Sequence, residues 1–168
     1  MATAKATTLQ QQLDGAFARL KRQLAGMDAY LDRSDAPGEW TTREVLSHLI
    51  DKRGDDPVTV LKGFATHDLP VIEIDPGATF MDEERKRWTL ADFVKALDVQ
   101  RRAVGSYLDA LSDADLERKA RVPLFKAFMG TEEVTVGVYV GALFGYHWND
   151  HAAQLAKIRK AVGLPDAP

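Results

Sequence analysis

From Leu9 to Leu31 the apolar residues stand at Leu9, Leu13, Phe17, Leu20, Leu24, Met27 and Leu31, in steps of three and four. Only a helix of 3.6 residues per turn gathers such positions onto one face, so the spacing predicts an amphipathic α-helix from Thr8 to Asp32. Its end is set by "DRSDAPGEW", where Pro37 and Gly38 supply turn chemistry that a helix interior rejects.

Three further segments carry the same kind of stripe. A complete start signal precedes the second: Thr41 as cap, Glu44 three residues on to close a capping box, and Trp40 to pack on Val45. This helix begins near Thr42, carries Val45, Leu46, His48, Leu49 and Ile50, and is interrupted at "RGDDP", after which Asp56 and Pro57 open a short helix, "PVTVLKGF". Residues 65–88 hold two prolines and little periodicity, and read as an ordered connection over one end of the domain. Thr89 and Asp92, flanked by Trp88 and Phe93, open a third helix with Phe93, Leu97, Val104, Leu108 and Leu111 on its face. The stretch from Leu111 to Val134 reads as a single turn at "SDADL" and otherwise irregular chain.

The last segment opens ambiguously, since "VTVGVYVG" alternates and is rich in β-branched residues. Gly137, Gly141 and Gly145 recur at helical period, however, and Val140, Phe144, His147, His151, Leu155 and Ile158 continue one face. A long fourth helix from Thr135 to Lys160 is expected, ended by Gly163 and Pro165. The glycine stripe lets another element approach closely, within the chain or in a dimer. Four striped helices imply an all-α four-helix bundle, and residues 1–168 are of a length for one domain.

Composition removes several classes of function. A net charge of -3 gives no basic field to hold a phosphate backbone, so nucleic acid is not an expected partner. No uncharged apolar run approaches the ~20 residues of a membrane span, and the first residues lack the apolar core of a signal peptide; a cytoplasmic protein is expected. Cysteine is absent, which excludes disulfides, thiolate metal sites and cysteine nucleophiles.

His147 and His151, four apart on a helix, emerge on the same face and can reach one metal ion. That face is the apolar one, where imidazole nitrogens need partners. His48 lies on the apolar face of another helix, and bundles build metal sites from inward side chains on facing helices. Three neutral imidazoles would leave an ion open positions for water or substrate. Asp51 and Asp150 could orient an imidazole or simply be solvated. On spacing alone, core histidines satisfied by hydrogen bonds remain the alternative. His67, in the irregular connection, has no partner by pattern and reads as a surface residue.

"WTTREVLSHLID" and "HWNDHAAQLAKIRK" resemble the two signature regions of the DinB/YfiT-like superfamily of bacterial four-helix proteins, which is unrelated to the DNA polymerase of the same name. The resemblance spans most of the chain. It implies an up-down-down-up bundle with a long connection between helices 2 and 3, and a divalent ion, zinc or nickel, on His48, His147 and His151, with Gln154 and Ile158 matching the motif's tail. It further implies a metal-dependent transferase using a low-molecular-weight thiol on a small-molecule substrate, in stress response or detoxification. A metal-dependent hydrolase and a non-catalytic stress or small-molecule-binding protein are the alternatives. A homodimer is implied too, and a thiol would have to be a cosubstrate in a chain without cysteine.

Overall fold

The computed structural model describes residues 2–51, 56–66 and 68–167. Helix α1 (Ala4–Leu24) is capped by Thr3, whose hydroxyl accepts the Ala6 N–H, and buries Leu13, Phe17, Leu20 and Leu24. It stops short of the expected Asp32 because Gly26 takes a left-handed φ of 75°, which L side chains avoid. Met27 and Leu31 still reach the core, from the margins of a 3₁₀ turn at Asp28–Tyr30.

Helix α2 (Thr42–Leu49) begins at the expected capping box between Thr41 and Glu44 and buries Val45, Leu46, His48 and Leu49. Asp56 opens α3 (Pro57–Thr66) by accepting from the Val58 N–H at 3.0 Å. Arg53, Gly54 and Asp55 of the interruption, and His67 beyond, lie outside the described residues. The connection after α3 contains a 3₁₀ turn at Arg85–Arg87 and leads to α4 (Leu90–Asp109). There Thr89 and Asp92 form the second expected capping box, and Trp88 packs edge-on against Phe93 at 5.1 Å.

The stretch read as irregular is more ordered than expected. After α5 (Asp113–Leu116), strands β1 (Lys119–Arg121) and β2 (Glu133–Thr135) pair antiparallel around α6 (Phe125–Met129), with Ala120 opposite Val134, both buried. Val71 of the connection bridges to Arg121, so the hairpin anchors that connection. β2 leads straight into α7 (Val136–Val140), a π-helical turn at Gly141–Tyr146 and α8 (His147–Ala161). The helical reading of the last segment therefore holds from Val136.

α1 and α2 each pack against α4 and α8, which closes a four-helix bundle around one apolar core. The glycine stripe faces α1: a Cβ on Gly137, Gly141 or Gly145 would lie 3.7–3.9 Å from atoms of Leu9 or Gln12. No helix among the described residues is long and apolar enough to cross a membrane.

Candidate metal centre

His48 sits in the last turn of α2, just before that helix ends at Leu49. His147 opens α8 directly after the π turn, and His151 comes one turn later. A π turn inserts a wider loop of backbone into a helix and so rotates α8 relative to α7, a device common at functional sites. α2 and α8 are packed neighbours, which brings the three rings together.

One nitrogen from each of His48, His147 and His151 lies within 4.8 Å of the others. His147 Nε2 stands 3.0 Å from His48 Nε2 and 3.0 Å from His151 Nε2. The rings are steeply inclined to one another, at 79°, 64° and 83°, as rings are when they converge edge-first on one point. The opposite nitrogens of His48 and His151 face oxygens. His48 Nδ1 is 2.6 Å from the Ala78 carbonyl, which can only accept, so Nδ1 carries the proton. His151 Nδ1 is 2.8 Å from Gln154 Oε1, and the Leu143 backbone, one turn back, acts on His147 to favour its protonated form.

With the His48 and His151 N–H groups turned outward, their Nε2 lone pairs point inward at His147 Nε2, an arrangement that a cation relieves. Two of the three spacings suit one: two nitrogens at about 2.0–2.1 Å from an ion, with bond angles of 90–109°, stand about 2.9–3.4 Å apart, against 3.0 Å from His147 to each of His48 and His151. Burial also keeps the rings neutral. His147 is pushed down to about 3, mainly by burial and then by the neighbouring His151 and His48. His48 and His151 are lowered as well, again mainly by burial, with the bonds to Ala78 and Gln154 opposing. Neutral imidazole is the form that ligates a metal, so the donor set fits a divalent ion.

Two aromatic rings wall the cluster. Trp40 lies over His48 at 4.8 Å and stacks near-parallel on His151 at 6.2 Å. Phe80 stacks parallel to His48 at 6.3 Å from a backbone φ of 52°, a region unfavourable for an aromatic residue. Of the carboxylates singled out by position, Asp150 is exposed and acts on His151 through its charge, and the Asp51 N–H donates to Gln100 Oε1 at 3.1 Å. Ala78 and Gln154 orient the rings of His48 and His151. Of these only Gln154 had a signal in the sequence, three residues after His151; a backbone carbonyl leaves none.

A model of the DinB superfamily matches residues 8–155. The chain belongs to the DinB superfamily. Similar to this DinB chain is the uncharacterized protein YuaE of Bacillus subtilis (strain 168), 28% identical over 155 residues, which cover 83% of this chain and 90% of that protein. Among solved structures, YfiT from Bacillus subtilis superposes with a TM-score of 0.75 at 22% identity, covering 98% of this chain and 91% of that one. YfiT is described as a probable metal-dependent hydrolase with an unusual four-helix bundle topology, and the superposition establishes that the DinB chain shares its fold.

Proposed function

We propose that this DinB protein is a divalent-metal-dependent enzyme acting on a small molecule, with zinc or nickel held by His48, His147 and His151. The observation that carries the reading is the convergence of three Nε2 atoms, with the Nδ1 of His48 and of His151 turned away to oxygens. Bound there, such an ion supplies Lewis acidity toward a nucleophile or a polarised electrophile.

The chain's own residues provide the rest. Ala78 and Gln154 fix the tautomers and ring orientations of His48 and His151. Burial holds all three imidazoles neutral at physiological pH, so the donor set needs no deprotonation before use. Trp40 and Phe80 keep water from two sides of the cluster and offer flat apolar walls to a substrate. Since the chain has no cysteine, a sulfur nucleophile must arrive as a low-molecular-weight thiol, and transfer to such a thiol, in stress response or detoxification, is the activity favoured here. Hydrolysis is the second reading, supported by the description of YfiT. A cytoplasmic location and a homodimer accompany the proposal.

Metal-loaded protein incubated with a panel of cellular thiols and a model electrophile, beside a panel of activated esters and amides, separates the readings. Thiol consumption that His151→Ala abolishes supports transfer, and His151-dependent turnover of the esters without thiol supports hydrolysis. Rates equal to the uncatalysed ones in every reaction would remove the enzyme reading.

A further inference from the structure

Arg85 belongs to a charged run, "DEERKRW", yet it is 3% exposed. Arginine keeps its proton in any protein setting, so burying it is costly unless its N–H donors are met. Here they are met by oxygens from two separate segments. At the end of α2, Nη1 donates to Ser47 O at 3.0 Å, to Ser47 Oγ at 3.2 Å and to Ile50 O at 3.3 Å, and Nη2 donates to Asp51 O. Apart from the Ser47 hydroxyl these are carbonyls at a helix terminus, where a cation complements the helix dipole. His48 lies between Ser47 and Ile50, so the guanidinium holds the backbone on both sides of that ring.

The second segment is the connection. Nη1 also donates to Phe80 O at 3.3 Å. Phe80 keeps its left-handed backbone and lays its ring parallel to His48, and two residues earlier Ala78 supplies the carbonyl that takes the His48 N–H. Arg85 is itself anchored: Asp82 Oδ1 accepts its backbone N–H at 2.7 Å, and Arg43 Nη1 donates to its carbonyl at 3.2 Å.

We infer that Arg85 is a positioning residue for the three-histidine centre. By tying Ser47, Ile50 and Asp51 to Phe80, it keeps His48 as the Nδ1–H tautomer, bonded to Ala78, with Nε2 turned toward His147. The consequence for metal affinity rests on the functional reading above; the consequence for the tautomer does not.

Arg85→Met and Arg85→Lys are compared with Arg159→Met. Arg159 is 6% exposed and donates to the carbonyls of Gln23 and Ala25, so its loss carries the general cost of removing a buried arginine. Two readouts are taken on folded protein: the His48 tautomer in the metal-free state, from two-bond proton–nitrogen NMR correlations, and zinc affinity by chelator competition. All three variants should melt earlier. Only the Arg85 variants should show a mixture of His48 tautomers and lose roughly 10–100-fold in zinc affinity, the range typical of groups that orient a ligand. If Arg85→Met does not fold, Arg85→Lys carries the test, since it keeps the charge and loses the planar fork. Wild-type tautomer and affinity in a folded Arg85 variant, or equal losses in Arg159→Met, would overturn the inference. Wild-type protein that binds no zinc would defeat the metal reading alone, leaving the tautomer comparison to decide on Arg85.

Discussion

Lowering the pH of chelator-treated protein loads protons preferentially onto the unfolded chain, because burial holds His147 at about 3 while its ordinary value is 6.5. The folded value lies below the unfolded one, so this contribution to stability is complete above pH 6.5 and is lost as the pH falls toward 3. At 1.36 kcal/mol per pH unit of unmatched proton uptake, His147 alone costs roughly 2 kcal/mol by pH 5 and roughly 3 kcal/mol by pH 4. His48 and His151 are lowered by burial too and add in the same direction. Carboxylates such as Asp98, held below their ordinary range by Arg101, act at still lower pH. Urea unfolding followed by tryptophan fluorescence at about pH 7, 5 and 4 measures the sum. His147→Leu isolates one share: the variant should lose roughly 2 kcal/mol less than wild type between neutral pH and pH 5. Identical pH slopes for the two proteins, or a wild-type stability that is flat over that interval, would rule out a buried, neutral His147.

Trp148, 1% exposed between the rings of Phe17 and Phe144, should cost about 3–5 kcal/mol on replacement by Ala, read from the urea midpoint. Gly141→Ala should stabilise by roughly 0.5–1 kcal/mol, because its Cβ would meet Gln12 Oε1 at an ordinary 3.7 Å; Gly141→Leu should destabilise by running into Gln12 and Leu9. Gly26→Ala should cost about 1 kcal/mol through its φ of 75°, visible as a lowered Tm.

How far the sequence discloses this fold depends on which interactions are local. Thr41 with Glu44, and Thr89 with Asp92, are caps closed within three residues, and both form as expected. The first helix is shorter than its apolar period because Met27 and Leu31 keep that period while Gly26 breaks the backbone. The β1–β2 hairpin leaves no trace in the sequence because strands of three residues are too short to show alternation, and one buried residue each, Ala120 and Val134, is no pattern. At the site, helical spacing and apolar faces suffice to single out His48, His147 and His151, which the fold does bring together. Two residues around them are hidden, one that bonds His48 and one inferred to position it. Ala78 contributes a backbone carbonyl, which any residue has, and Arg85 is one of three adjacent cations of which tertiary packing buries one.

Everything proposed for the chemistry depends on a metal ion held by the three converging imidazoles. Elemental analysis of protein purified without an affinity tag, combined with thermal melts in zinc and nickel, decides whether they hold one. Close to one divalent ion per chain is expected, lost in His48→Ala, His147→Ala and His151→Ala. At a hundredfold excess over Kd the ion should also stabilise the fold by about 2.7 kcal/mol, or roughly 5–10 °C in Tm. A metal-to-chain ratio near zero together with an unchanged Tm in both metals would contradict a metal centre at these histidines.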